Sequence, residues 1–155
     1  YVRAVPLWNN ALLPVLFVLY AFMGGLGLFL PLGIYEGLGY REVLFLEHNI
    51  RLLLLISSIL LAIYLVTVGY TDQAGKESLL LLLRGDLSAV FYGGVVGLGI
   101  LLPFLSSLFL YATGNLSRPL LYTAMLGELT GSFLLRYCLL RAGIYMSLIP
   151  ESSLK

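Results

Sequence analysis

Long apolar stretches separated by short polar connections make up most of this sequence. Four such stretches cover approximately residues 7–32, 47–70, 88–111 and 119–142. A helix crosses a bilayer in ~20 residues at ~1.5 Å each, so every stretch is long enough to span. No internal repeat is visible. The pattern predicts an all-α integral membrane protein, in which residues 1–155 form a single transmembrane unit, a four-helix bundle.

The connections differ in length and polarity. Residues 71–77 are the most polar stretch, and the apolar run 79–83 that follows is too short to span, which is typical of a helix lying at the membrane surface. We therefore predict that residues 71–87 lie outside the hydrocarbon. In residues 33–46, Gly37 and Gly39 interrupt a run of polar and aromatic residues, and this segment is predicted to form a connector with room for a short interfacial helix.

Prolines and glycines mark places where membrane helices bend or meet. Pro14 predicts a kink in the first span, Pro31 predicts its end, and Pro103 predicts a kink in the third span. Gly93 and Gly97 have the small-x-x-x-small spacing that lets a neighbouring helix approach closely. We expect that pair to lie at a helix contact.

The last apolar stretch carries a carboxylate near its middle and a guanidinium two turns later. Glu128, Ser132 and Arg136 are spaced i, i+4, i+8, so in a helix they form one polar stripe. Gly127 and Gly131 predict a second small-residue notch beside this stripe. This side of the helix is therefore expected to face protein or water rather than lipid.

An ionisable residue at bilayer depth is costly, by at least ~2.5–3.5 kcal/mol on insertion scales, and by default marks a functional site. Glu128 lies too deep in its stretch for its short side chain to reach the interface. We predict that Glu128 is the central step of a proton path that includes Ser132 and Arg136. The alternatives are a protonated, hydrogen-bonded packing residue for Glu128 and an interfacial anchor for Arg136.

A second polar group opens the second apolar stretch. Glu47 and Arg51 have the i, i+4 spacing of an ion pair, and His48 lies between them. Either this group is simply satisfied at the interface, or it contacts a quinone head group or admits protons, for which His and Glu are suited. Trp8 and Asn9, placed where an aromatic belt would lie, are further candidates for quinone or interface contacts.

Composition narrows the classes of function. The chain is 60% hydrophobic and 11% charged with a mean hydropathy of +0.98, far above the ~45–50% apolar usage of soluble domains. A net charge of +1 provides no basic surface, so nucleic acid is not an expected partner. One cysteine, Cys138, and one histidine, His48, are too few for a cysteine-ligated cluster, a zinc site or a bis-histidine haem. We expect this chain itself to bind no metal or other cofactor, quinone excepted.

Three motifs are similar to those of a known family. They are Pro6-Leu-Trp-Asn at the start of the first span, residues 91–103 (FYGGVVGLGILLP), and residues 131–137 followed by 141–143. On these motifs the chain resembles the C-terminal half of the polysulfide reductase membrane-subunit family (NrfD/PsrC type). Members of that family have eight or more spans, and this sequence starts without Met or a signal peptide. We therefore expect it to be the C-terminal part of a longer membrane protein.

The resemblance implies a haem-free, multi-pass anchor in the cytoplasmic membrane of a prokaryote. Such an anchor exchanges electrons between a (mena)quinone pool and an iron–sulfur partner. Iron–sulfur clusters and molybdopterin are then expected only in the partners, which are an iron–sulfur subunit and a larger redox subunit, with membrane lipid around the anchor. The family's quinone pocket belongs mainly to the earlier bundle, so the resemblance does not by itself assign a quinone to these residues.

Three functions stay open from the sequence. The first is an anchor subunit of a quinone-linked respiratory oxidoreductase complex, not catalytic alone, with proton translocation through Glu128. The second is an ion- or proton-coupled transporter or channel that uses Glu128 as its ion site, and the third is a purely structural assembly subunit. The distribution of Arg and Lys favours cytoplasmic termini, whereas the family topology places the start of this half on the iron–sulfur side, generally periplasmic. Orientation therefore stays open as well.

Overall fold

A computed structural model of the chain describes residues 5–114 and 118–144. The regular structure of these residues is helical throughout, which confirms the predicted all-α class. The helices are α1 (Leu12–Tyr35), α2 (Tyr40–Gly69), α3 (Gln73–Leu83), a π-helix (Val90–Leu101) that continues directly into α4 (Leu102–Thr113), and α5 (Arg118–Arg141).

Three of the described helices are long and apolar enough to cross a membrane: α1, α2 and the continuous π–α4 helix, Val90–Thr113. Their outward faces carry large apolar side chains such as Phe22, Ile59 and Leu105, each more than half exposed. Such surfaces can face lipid, because their side chains are apolar and each helix satisfies its backbone hydrogen bonds internally. Four spans were predicted from the sequence, and α5 does not qualify by composition. Helix α5 has 24 residues, as α1 does, but charged and polar side chains interrupt its apolar run.

The prolines of the first span sit differently from the prediction. Helix α1 begins at Leu12, whose N–H is accepted by the Asn10 side chain at 2.9 Å. Pro14 therefore falls in the first helical turn, where a missing N–H removes no intrahelical bond. Pro31 lies inside α1 rather than at its end, and the helix continues for another turn to Tyr35.

The connector between the first two spans is shorter than predicted. Helix α2 begins at Tyr40, two turns before the predicted start at Glu47. The carboxylate of Glu42 accepts the Gly39 N–H at 2.6 Å, which fixes the start of the helix. Gly37 turns the chain just before it, with a φ of 92° that disfavours other residues.

Helix α3 begins at Gln73 and so includes polar residues ahead of the predicted apolar run. It packs on α2 and the π-helix, and its buried positions are Ala74, Gly75, Ser78 and Leu82. A Cβ on Gly75 would lie 2.8 Å from the Val68 carbonyl and 3.7 Å from Pro6. Helix α3 therefore rests on the end of α2 and on the segment that precedes α1.

The π-helix changes which glycines meet α5. Residues five apart lie above one another in a π-helix, so Gly94 and Gly99 share a face. A Cβ on Gly94 would clash with the Leu134 side chain of α5, whereas Gly93 has open space around it and Gly97 meets only its own helix. The predicted contact through Gly93 and Gly97 is wrong, because these two glycines lie on a side of the π-helix that α5 does not cover.

The predicted notch on α5 is confirmed. Gly131 meets Gly99 backbone to backbone, and a Cβ on Gly99 would lie 2.7 Å from the Gly131 Cα. A Cβ on Gly127 would lie 2.5 Å from the Leu98 carbonyl oxygen. In lipid no hydrophobic driving force brings helices together, so they associate through close packing of this kind.

The helices define two opposite faces. The α3 face contains the start of α1, helix α3 and the end of α5, and here the Ile144 N–H donates to Ser78 Oγ at 3.1 Å. The turn face contains the α1–α2 connector and the end of α4, and here the Tyr40 hydroxyl donates to the Gly114 carbonyl at 3.2 Å. Helix α5 runs from the turn face to the α3 face and packs against α1, the π-helix and α4.

Candidate functional site

Glu128 is directed into the protein, with only 4% of its surface exposed. It leans on Gly27 of α1, where a Cβ would lie 2.8 Å from Glu128 Oε2. The absent side chain at Gly27 therefore makes room for the carboxylate. Four residues along, Pro31 has no N–H, so the Gly27 carbonyl lacks its usual intrahelical donor.

A second carboxylate faces the same space. Glu47 of α2 is 9% exposed and lines one small cavity together with Glu128. The other lining residues are Gly27, Leu30, Ile50, Leu121, Ala124 and Met125. The cavity offers about 20 Å³ to the centre of a water-sized sphere, which is room for about one water. Two acids from different helices thus share one water-sized space.

Glu47 is held by a polar network that the sequence did not indicate. The Ser107 hydroxyl of α4 donates to Glu47 Oε1 at 2.5 Å and accepts from Arg51 Nε at 2.6 Å. Arg51 also donates to the Ser107 carbonyl at 3.2 Å, and its guanidinium lies 5.8 Å from the centre of the Tyr111 ring. Glu47 and Arg51, which have the i, i+4 spacing of an ion pair, are therefore connected through Ser107.

The stripe predicted along α5 is divided in the structure. Ser132 is buried one turn beyond Glu128, as the spacing requires. Arg136 is exposed, and its guanidinium lies 5.6 Å from the centre of the half-buried Phe17 ring of α1. Glu128 and Ser132 thus face the interior, whereas Arg136 lies at the outer edge of the α1–α5 contact.

The candidate quinone or interface contacts fall into two separate places. The Trp8 indole donates to the Leu139 carbonyl at 2.9 Å at the α3 face, and the side-chain oxygen of Asn9 is buried there without a hydrogen bond. Glu47 lies near the turn face, ~33 Å from the end of α2 at the α helical rise, so the structure does not bring the two groups together. His48 is exposed beside Glu47.

The juxtaposition of Glu47 and Glu128 was missed from the sequence. Glu47 lies ~10 Å from the start of α2 and Glu128 ~15 Å from the start of α5, and both helices start at the turn face. The prediction that the second span starts at Glu47 placed this residue at the interface. Its depth therefore did not match the depth predicted for Glu128. The signal that could have found it is Glu42, whose position three residues after Gly39 fits a helix start.

Comparison with known proteins gives one result of functional weight. A family model described as "Polysulphide reductase, NrfD" matches residues 1–147, a range that includes every described residue. Neither the curated proteins nor the solved structures contain a match. The family match agrees with the resemblance carried by the motifs of the first and last spans and by residues 91–103. The chain belongs to the NrfD polysulphide reductase family.

Proposed function

We propose that this chain is a membrane subunit of a quinone-linked respiratory oxidoreductase complex and that its Glu47–Glu128 pair carries protons. Family membership and the apolar helices support the first part. The observation that carries the second part is the shared cavity, in which two buried carboxylates face room for one water. Acids in such a position are suited to holding and passing a proton.

In this proposal α5 is the fourth span of a four-helix bundle. At the α-helical rise its 24 residues extend ~36 Å, enough to cross the hydrocarbon. Leu126, Phe133 and Leu140 are each more than half exposed and suit a lipid-facing side. Glu128 and Ser132 point inward instead, so these two polar groups of α5 are removed from lipid.

The surroundings of the two carboxylates differ in a way that gives them separate roles. Ser107 donates to Glu47, and Arg51 lies on the other side of the same hydroxyl, so Glu47 is held in place by the polar network. Glu128 makes no hydrogen bond with the described residues, and a buried acid in that situation is best accommodated as the neutral form. Charging both acids at once is unfavourable, because the repulsion between like charges grows away from water. One proton on the pair removes this repulsion, and Glu128, which no described side chain anchors, is the carboxylate that we propose to exchange it.

Electron carriers belong to other subunits in this proposal. Iron–sulfur clusters and molybdopterin reside in the partners, and a quinone contacts mainly other parts of the complex. The α3 face suits a partner, since it combines apolar and charged side chains in the manner of an interface rim. Its exposed residues on α3 and just beyond include Lys76, Glu77, Leu80, Leu81 and Arg84.

The direct test is Glu128→Gln in the complete complex reconstituted into liposomes. We expect normal assembly, because the amide nearly preserves shape, and a loss of at least about tenfold in coupled proton uptake or quinone turnover, equal to about 1.4 kcal/mol in the relevant barrier. The matched control is Glu36→Gln at an exposed position in the α1–α2 connector, which should behave as wild type.

Two results would redirect the proposal. Wild-type turnover and proton uptake in Glu128→Gln would make the carboxylate a packing residue and the chain a structural subunit. Purification of the chain without any iron–sulfur protein, together with ion transport that needs Glu128, would indicate the transporter alternative instead.

A further inference from the structure

Beyond the carboxylate pair, the interior contains buried hydroxyl groups from three helices at similar depth. Tyr20 of α1 is 2% exposed, and Ser57 of α2 and Ser132 of α5 are also buried. The cavity is lined by Gly27 and Ile50. Tyr20 lies seven residues from Gly27, and Ser57 lies seven residues from Ile50, so both are ~10 Å beyond the cavity toward the α3 face. Ser132 lies ~6 Å beyond Glu128 in the same direction.

Tyr20 is the unusual member of this layer. Its hydroxyl is completely buried and makes no well-formed hydrogen bond; the polar group close enough to interact with it is the Ser57 hydroxyl. The Ser57 hydroxyl donates instead to the Leu54 carbonyl of its own helix at 3.0 Å. A buried hydroxyl without a partner lowers stability by roughly 1–3 kcal/mol, so phenylalanine would be the better residue if Tyr20 only filled space.

The groups beyond this layer continue toward the α3 face. Tyr64 lies on the same side of α2 as Ser57, two turns further, and its hydroxyl donates to the Leu7 carbonyl at 2.6 Å. Asn9, whose side-chain oxygen is buried without a partner, follows at the face itself. The buried polar groups of α1 and α2 thus form a series from the cavity to the α3 face, while Arg136 lies outside it.

We infer that protons pass between the Glu47–Glu128 cavity and the α3 face through the Tyr20, Ser57 and Ser132 hydroxyls, with Tyr20 as the group that relays them. This inference rests on the proposed function and names the second half of its path. In each step the Tyr20 oxygen accepts a proton from a water on the Glu128 side and releases its own proton to the next acceptor. The hydroxyl is regenerated, and no net charge stays on the ring.

The test is Tyr20→Phe in the complete complex in liposomes, with Tyr70→Phe at the exposed end of α2 as the matched control. We expect Tyr20→Phe to assemble with about unchanged thermal stability, because it removes only a hydroxyl that makes no well-formed hydrogen bond. Proton uptake should fall by about tenfold. This loss is smaller than the ~10²–10⁴-fold expected when a general acid or base is removed, because water can partly replace a hydroxyl. The solvent deuterium isotope effect on uptake should rise, which a packing defect would not cause.

Measuring Glu128→Gln and Arg136→Gln alongside separates the possible failures. If Glu128→Gln lowers uptake and Tyr20→Phe matches wild type in uptake and isotope effect, this route is wrong and the proposed function stands. If Arg136→Gln lowers uptake while Tyr20→Phe does not, the proton follows α5 instead. An inert Glu128→Gln overturns the proposed function itself.

Discussion

Gly27 controls whether the Glu128 carboxylate can reach the cavity. A methyl group at this position would lie 2.8 Å from Oε2, and the atom it meets is the free end of a flexible side chain. The side chain can therefore move aside without unfolding the helices, but the acid leaves its position opposite Glu47. A methyl group on the neighbouring Gly25 would have nothing within 4 Å, so this glycine provides a control in the same helix.

We expect Gly27→Ala to assemble normally and to lower coupled proton uptake by at least about tenfold, since a shift of 1 Å in a reacting group can cost much more. Gly25→Ala should keep wild-type uptake. Both variants are compared in liposomes, with thermal stability in detergent as the check on folding. Equal uptake in the two variants would show that the position of Glu128 against Gly27 has no role.

At this scale the sequence predicted some residues and missed others for physical reasons. The burial of Glu128 and Ser132 follows from their i, i+4 spacing in an apolar segment. Ser107 could not be identified, because a serine in a membrane helix commonly bonds its own backbone, as Ser106 does with the Leu102 carbonyl. Its contact with Glu47 depends on how α4 is rotated against α2, which no local pattern specifies.

The π-helix is the element whose geometry departs most from the sequence prediction. Residues 91–103 contain glycines at both spacings, Gly93 with Gly97 and Gly94 with Gly99. Only the second pair meets α5, and its two residues share a face because the helix is π rather than α. A sequence pattern alone does not distinguish these two spacings, whereas the notch of α5, an ordinary α-helix, was predicted correctly.

This difference provides a test of the packing. In Gly99→Ala the new methyl would lie 2.7 Å from the Gly131 Cα, which is backbone and cannot rotate away. We expect the variant to lose about 1–3 kcal/mol of stability, as overpacked cores do. Gly93→Ala adds the same methyl in open space and should change stability by less than about 0.5 kcal/mol. Thermal unfolding in detergent measures both, and equal stabilities would contradict the π-helical contact.

For the whole molecule, hydropathy predicted the all-helical membrane fold because lipid permits few alternatives to apolar helices. The predicted fourth span, α5, is less apolar than the other three, since the residues that give this helix its chemistry also lower its hydropathy. The functional pair depends on the assembled molecule, because Glu47 and Glu128 are 81 positions apart in the sequence. They meet only when α1, α2 and α5 pack together and the glycine at position 27 admits the carboxylate.

The central claim is that these two carboxylates act as one proton-carrying unit. The measurement that tests it most directly is coupled proton uptake by the liposome-reconstituted complex carrying Glu47→Gln, Glu128→Gln or both. We predict a loss of at least about tenfold for each single variant and a double variant within about twofold of the worse one, as for residues that act as a unit. Losses that multiply in the double variant, or wild-type uptake in either single variant, would contradict the account.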